Sequence, residues 1–109
     1  MDAEDTKLVV LARATRARTG ASEGAALRDL DGRTYAGATV DLPSLQVSAI
    51  GVCIAMAVAS GAAGAEALVL LTDGDLARAD LDALRDFAGA GVPVHLGSPA
   101  GRLGESRTT

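Results

Sequence analysis

The longest apolar stretch of the chain covers residues 43–61 and predicts a central helix over residues 44–61, opened by Pro43. Within residues 47–59, only Ser48 carries a polar side chain. A helix that is apolar all round must be covered all round, and this one is shorter than the roughly 20 apolar residues that cross a bilayer. It is therefore either the buried centre of a small domain or a helix that shares its second face with a partner subunit.

Two polar–apolar runs precede this helix and predict a β-hairpin. Residues 24–30 and 33–40 are interpreted as strands, and Asp31-Gly32 stands between them. Asp-Gly is a strong signal for a two-residue type I′ turn, which needs positive φ at both central positions. We therefore expect two antiparallel strands joined by a tight turn.

The first segment, residues 2–19, predicts an amphipathic helix with acidic residues at its start and arginines at its end, an order that complements the helix dipole. The near-continuous apolar run 66–72 is typical of a strand buried on both faces. A further helix is expected over residues 80–90 and a further strand over residues 92–96.

The predicted order is α-β-β-α-β-α-β, and it indicates an α/β protein. A hairpin followed by β-α-β crossovers gives a mixed sheet with helices on both faces. We expect a three-layer α/β/α sandwich with a mixed four- to five-stranded sheet. Residues 1–109 are expected to form a single domain, in which about 101–109 are a short strand or a disordered tail.

Composition narrows the functional classes. The formal net charge of −4 argues against nucleic acid as a main partner. The single cysteine, Cys53, excludes an intramolecular disulfide and a cysteine-rich zinc site. Residues 2–5 are acidic where a signal peptide would be basic, so we expect a cytoplasmic protein that does not enter a membrane.

Few isolated side chains suggest chemistry. The apolar surroundings of Cys53 favour a small buried hydrophobe over a reactive thiol. His95 alternates with apolar neighbours, which favours a satisfied histidine on the sheet over a general base. The aspartates between residues 73 and 82 favour helix capping over a weak cation site.

The segment Gly24 to Asp41, GAALRDLDGRTYAGATVD, resembles the first hairpin of the cytidine deaminase family. There a VGAAL-type strand, a DGR-type turn and a TGxNVEN-type strand follow one another. The Val92-Pro93-Val94 segment is similar to the TPV strand of that family. The resemblance implies the same α/β/α fold.

The resemblance also implies where a metal site would stand. The family keeps a zinc ligand and a catalytic glutamate in a C-A-E pattern, and counting forward from Asp41 puts Ile50 and Val52 at those two positions. Two further cysteine ligands fall on Arg78 and Leu81. Zinc needs three protein ligands and a water, and these four side chains supply none. We therefore expect no cofactor, no metal and no enzyme activity.

The resulting expectation is a non-catalytic protein that works as a homo-oligomeric binding or assembly module. Family members commonly form dimers or tetramers through the equivalent of the 44–61 helix, and we expect self-association there. Two alternatives stay open. One is a nucleoside-binding regulatory protein with a reduced pocket around Thr39 and Asp41, where the resemblance puts ribose-contacting residues. The other is an active cytidine or nucleoside deaminase with a relocated site.

Overall fold

The computed structural model describes residues 2–109 and contains a five-stranded mixed sheet with helices on both faces. A two-stranded ribbon stands apart from the main sheet. The helices are α1 (Ala3–Thr19), α2 (Ala49–Ala59) and α3 (Arg78–Ala88); the strands are β1 (Gly24–Asp29), β2 (Thr34–Ala38), β3 (Val40–Leu42), β4 (Leu45–Val47), β5 (Ala65–Leu71), β6 (Pro93–Gly97) and β7 (Leu103–Thr108).

The main sheet has the strand order β2-β1-β5-β6-β7. Strand β1 pairs antiparallel with both β2 and β5, because the first hairpin and the later part of the chain meet on its two sides. Strand β5 pairs in parallel with β6 across the α3 crossover, and β7 returns antiparallel to β6. The predicted mixed sheet in a three-layer α/β/α sandwich is confirmed.

The two faces of the sheet bury separate cores. Helix α1 lies on one face and packs Leu8 and Ala12 against Val69 and its neighbours. Helices α2 and α3 cover the other face, where Ile50 and Leu84 belong to the larger core. Strand β1 is buried along its whole length, since it has a helix layer on each side and a strand at each edge. Its small residues allow this: a Cβ at Gly24 would overlap the Ala12 carbonyl.

The first hairpin is confirmed, but its turn is not the predicted type I′. Within residues 2–109, only glycines have positive φ, so Asp31 does not adopt the conformation that this turn needs; Gly32 does, at φ 86°. The Asp29 N–H donates to the Arg33 carbonyl (2.8 Å) and the Gly32 N–H donates to the Asp29 carbonyl (3.1 Å), which encloses a three-residue loop. A loop of this length commonly places glycine in the left-handed region.

The predicted start of the central helix was wrong. Helix α2 begins at Ala49, and the preceding residues form the β3–β4 ribbon with Pro43 and Ser44 at its turn. The true N-cap is Ser48, whose hydroxyl accepts the N–H of Gly51 at 2.9 Å. Proline suits both a first helical turn and a β-turn, so its presence could not separate the two.

The end of the described chain is more ordered than predicted. Strand β7 covers Leu103–Thr108 and pairs with β6, where the sequence indicated at most a short strand or a disordered tail. The buried Thr109 continues this attachment, because its hydroxyl accepts the N–H of Val92 (3.0 Å) and donates to the Gly89 carbonyl (2.6 Å).

Within residues 2–109, no helix combines the length and the apolar character that crossing a membrane requires.

Candidate functional site

An open groove lies where the β3–β4 ribbon meets the starts of β1 and α2. Its volume is about 490 Å³. The groove stands near the carboxyl end of β5, because Gly24 at the start of β1 pairs with Leu71 at the end of β5. The polar side chains that line it are Glu23, Thr39, Asp41, Gln46 and Ser48, with two valines between them.

The two predicted ligand-binding residues, Thr39 and Asp41, lie in this same groove. Thr39 is half-buried and holds the groove together: its hydroxyl accepts the Glu23 N–H at 3.1 Å and lies 3.3 Å from the Ser22 hydroxyl. Asp41 is exposed on β3 opposite Gln46 in the ribbon register. Thr39 is therefore committed to a local contact, whereas the Asp41 carboxylate faces the solvent and is free to accept hydrogen bonds.

The N-termini of α2 and α3 meet beside the groove. The Ser48 hydroxyl, which caps α2, donates to a carboxylate oxygen of Asp80 in the first turn of α3 at 2.6 Å. Asp80 therefore links two helices. The predicted capping role of the aspartates holds only in part, since Ala77 occupies the N-cap of α3 and makes no side-chain cap bond.

The four residues counted onto the metal and acid/base positions lie at these two helix starts. Ile50 is buried, with 1% of its surface exposed, and belongs to the core. Val52 is half-buried and stands against Gly37, where an added Cβ would come within 2.9 Å of its side chain. Arg78 is exposed at the first position of α3, and Leu81 is half-buried against the core. The structure thus places the starts of α2 and α3 side by side.

Zinc does not fit the donor set at this place. Ile50, Val52 and Leu81 offer no ligand atom, and the nearest polar pair is one hydroxyl and one carboxylate. Zinc sites in proteins use at least three nitrogen, sulfur or carboxylate ligands. Among residues 2–109, no group of three histidine, cysteine, aspartate or glutamate side chains is placed to hold an ion. No chemical step is therefore assigned to a metal here.

Cys53 is a buried thiol inside the main core, as predicted. Its sulfur donates to the Tyr35 carbonyl at 3.4 Å. Burial raises the pKa of Cys53 to about 12, because a thiolate loses its hydration inside an apolar core. A thiol with this pKa stays protonated at neutral pH and is a poor nucleophile.

A charged cluster that the sequence did not predict joins α1 to the strands of the main sheet. Asp5 of α1 pairs with Arg28 of β1 at 2.9 Å, and Arg28 also pairs with Glu66 of β5 at 3.0 Å. His95 of β6 joins through its Nε2, which lies 3.3 Å from Asp5, and its Nδ1 lies 2.9 Å from the Ser106 hydroxyl. The prediction of a satisfied histidine on the sheet holds only in part, because Nδ1 has a hydrogen-bond partner whereas the buried Nε2 makes no hydrogen bond within residues 2–109. No local spacing signals this cluster, because its members come from five different elements.

A second polar contact stabilises the first hairpin. The Tyr35 hydroxyl donates to the Asp29 carboxylate at 2.9 Å, and the N–H groups of Asp31 and Arg33 donate to the same side chain. Burial alone would raise the pKa of Asp29, but these hydrogen bonds outweigh it and hold the pKa below its ordinary value. The bond to Asp29 raises the pKa of Tyr35.

The fold and the paired helix starts define an α/β/α protein whose polar groove is built at the edge of a mixed sheet. The family comparison agrees with this: the profile described as "Cytidine deaminase-like" matches residues 1–101. The chain belongs to the cytidine deaminase-like family, and the resemblance found in the first hairpin is confirmed.

Solved structures show the same fold over nearly the whole chain. Cytidine deaminase from Burkholderia pseudomallei is 24% identical, with a TM-score of 0.78, and the match covers 100% of this chain and 92% of that one. Cytidine deaminase from Mycobacterium leprae is 20% identical, with a TM-score of 0.75 and coverages of 98% and 94%. The enzyme from Mycobacterium tuberculosis is 21% identical, with a TM-score of 0.72 and coverages of 94% and 89%. No protein among the curated sequences matches the chain significantly.

The prediction of a non-catalytic assembly module that is not an enzyme was wrong. It rested on four positions where the resemblance implies zinc ligands and the catalytic glutamate. The side chains there are Ile50, Val52, Arg78 and Leu81, which cannot take those roles. The family that matches is named for an enzyme, and the structures that match along almost the full chain are cytidine deaminases. The absence of zinc ligands at the positions implied by the resemblance does not establish that the whole protein is inactive.

Proposed function

We propose that this member of the cytidine deaminase-like family binds a pyrimidine nucleoside in the groove beside the β3–β4 ribbon. The single observation that carries the proposal is one groove of about 490 Å³ in which Thr39 and Asp41 lie beside Glu23, which precedes β1, and Gln46 of β4. That volume falls in the range of small-molecule sites. Family membership and the likeness to cytidine deaminases support the choice of ligand class.

The groove's side chains suit the polar edge of a nucleoside. Glu23 and Asp41 present carboxylates, which accept hydrogen bonds from ribose hydroxyls and from an exocyclic amine. Gln46 adds an amide that both donates and accepts. The valines give an apolar wall for a sugar or base face. The Thr39 hydroxyl, between β2 and β3, accepts a hydrogen bond from the backbone N–H of Glu23, which precedes β1. This bond holds the two sides of the groove in place before a ligand binds.

Calorimetric titration of the purified protein with cytidine, uridine and adenosine tests this proposal. We expect saturable binding of the pyrimidine nucleosides, and Asp41→Ala should weaken it by roughly tenfold, the effect of one charged hydrogen bond. Asp86→Ala is the matched control, since Asp86 is an exposed carboxylate on α3 outside the groove. Absence of binding for every nucleoside at millimolar concentration would overturn the proposal. Ammonia release from cytidine, followed in the same samples, reports separately on a reaction.

We also propose that the chain self-associates through the outer face of α2. Only one side of this helix is covered: Ile50, Cys53 and Ala57 are buried, whereas 56% of Val58 is exposed. Solvent therefore meets an apolar helix face that a second copy would cover.

We also propose a cytoplasmic location. The support is its single, unpaired and buried cysteine, a usage that fits a reducing compartment.

A further inference from the structure

Three arginines line one pocket formed by α3 and β7. Arg78 and Arg85 come from that helix, and Arg107 comes from the neighbouring strand β7. The pocket has a volume of about 340 Å³, and Leu76 and Leu81 supply its apolar part. One carboxylate, Asp82, completes the lining, so the side chains at this place carry a local charge of about +2 on a chain whose net charge is −4.

The fold makes little use of these guanidinium groups. Among residues 2–109, neither Arg78 nor Arg85 forms an ion pair. Arg107 pairs with Glu105 at 3.2 Å, but the two side chains are 49% and 61% exposed, and such surface pairs contribute little to stability. Arg78 and Arg85 are therefore available to a ligand, and Arg107 reaches a ligand by exchanging its two exposed hydrogen bonds to Glu105.

The position of Arg78 is unfavourable in the free protein. It is the first residue of α3, an eleven-residue helix, and a cation there opposes the positive end of the helix dipole, which Asp80 in the same turn offsets in part. The N-cap residue, Ala77, makes no side-chain bond to the free N–H groups of the first turn. An anion bound beside this helix start would relieve both conditions, because it would neutralise the arginine and favour the dipole.

We propose that this pocket binds the phosphate group of a small phosphorylated molecule. A guanidinium group presents a planar fork of donors that matches phosphate oxygens in pairs. Three such groups around one cavity favour a dianion over a monocarboxylate, since the attraction grows with ligand charge. The leucines then accommodate the carbon part of the ligand. This site shares no lining residue with the nucleoside groove, so it does not rest on the function proposed above.

Replacement of Asp82 is expected to change the phosphate affinity in the opposite direction to replacement of an arginine. Its carboxylate lines the same pocket and repels a bound anion. Removal of the charge by Asp82→Asn should therefore tighten phosphate binding, whereas removal of an arginine should weaken it. A nonspecific response to ionic strength does not produce opposite effects from two neighbouring residues.

The test is calorimetric titration of the full chain with inorganic phosphate and with glycerol phosphate, at constant ionic strength held with chloride. We expect saturable binding that falls roughly tenfold or more in Arg85→Gln and in Arg107→Gln, as expected for loss of a charged hydrogen bond. Arg18→Gln is the matched control, because Arg18 is an exposed arginine of α1 outside the pocket. Circular dichroism verifies that each variant is folded.

Three results would overturn the proposal. The first is no saturable binding of either phosphate compound. The second is an equal loss in Arg18→Gln and Arg85→Gln, which would indicate a diffuse charge effect. The third is binding of a single-stranded oligonucleotide in strong preference to both small phosphates, which would assign the arginines to nucleic acid instead.

Discussion

The two faces of the sheet are built from the same strands, but different interactions stabilise the side chains that are buried on each face. On the α2/α3 face, β1 and β5 present Leu27, Leu68 and Leu70 to a core made of hydrocarbon. On the α1 face, the alternate residues of the same strands are partly polar, and Arg28 there is tied to Asp5 and Glu66. The comparison teaches that a strand buried on both sides need not be apolar on both sides, provided that each charge finds a partner.

The reason for the difference lies in the helices. Helix α1 buries three residues, Leu8, Ala12 and Thr15, and only Leu8 among them is a large apolar side chain. Hydrogen-bonded ion pairs at the edge of its contact with the sheet attach the helix where apolar area is limited. Helices α2 and α3 together cover a larger set of buried apolar side chains on the other face. The buried carboxylate beside that core, Asp29, is held by Tyr35 and by backbone N–H groups of the first hairpin.

The largest effect is expected on the α2/α3 face. Replacement of Ile50 by alanine removes a fully buried side chain beside Cys53, and such changes destabilise proteins by about 2–5 kcal/mol. Urea unfolding measures the difference. Ile50→Val is the graded control, with an expected cost of about 0.5–1.5 kcal/mol. Equal stability of Ile50→Ala and the wild type would show that this helix start is loosely packed.

A smaller loss is expected on the α1 face. Arg28→Met keeps the aliphatic length but removes the guanidinium that donates to Asp5, which is 13% exposed, and leaves that carboxylate only His95 at 3.3 Å. We expect a loss of about 1–3 kcal/mol, the cost of a largely buried charged group that loses its hydrogen-bond donor. The double variant Arg28→Met/Asp5→Leu should recover part of this loss, since hydrocarbon replaces both partners. If the double variant were less stable than the single one, Asp5 would stabilise the fold through another contact, such as His95 at 3.3 Å, and not mainly through Arg28.

The exposed faces of α1 and α2 are expected to differ in whether they take part in self-association. Val58 on α2 and Val10 on α1 are similarly exposed, at 56% and 61%. We expect Val58→Asp to reduce the molar mass measured by light scattering to that of one chain, while Val10→Asp leaves it unchanged. A monomeric wild type at micromolar concentration would contradict the proposed role of α2.

The smallest effect concerns the pH dependence of stability at the first hairpin. The pKa of Asp29 is lowered in the folded state, so its contribution is complete above the unfolded value of about 3.9 and is lost as pH falls through the folded pKa. Tyr35 has a raised pKa, and its contribution is present below about pH 10 and is lost as pH rises through the folded pKa.

Urea midpoints measured across both pH ranges test this. Tyr35→Phe should remove the alkaline loss and weaken the acid dependence, because the Asp29 carboxylate then lacks one of its donors. Asp31→Asn is the control, since the Asp31 side chain is exposed and makes no ion pair within residues 2–109. An unchanged acid slope in Tyr35→Phe would assign the lowered pKa to the backbone donors alone.

By itself, the sequence determined the elements whose signals are local. The Asp-Gly turn marked the first hairpin, the apolar run marked β5, and the order of elements was enough for a three-layer α/β/α sandwich. These features depend on spacing within a few residues, which a linear reading contains. The family resemblance in residues 24–41 followed from the same hairpin.

Only the tertiary structure decided which distant residues meet. Pro43 and Ser44 lie in the turn of a ribbon and not at a helix start. The reason is that residues 45–47 pair with β3, and this strand pairing competes with helix formation. The tertiary structure joined Ser48 to Asp80, gathered Arg78, Arg85 and Arg107 around one pocket, and tied the end of the chain to β6. Each of these contacts joins separate elements, and its energy depends on how the layers pack, which local patterns do not encode.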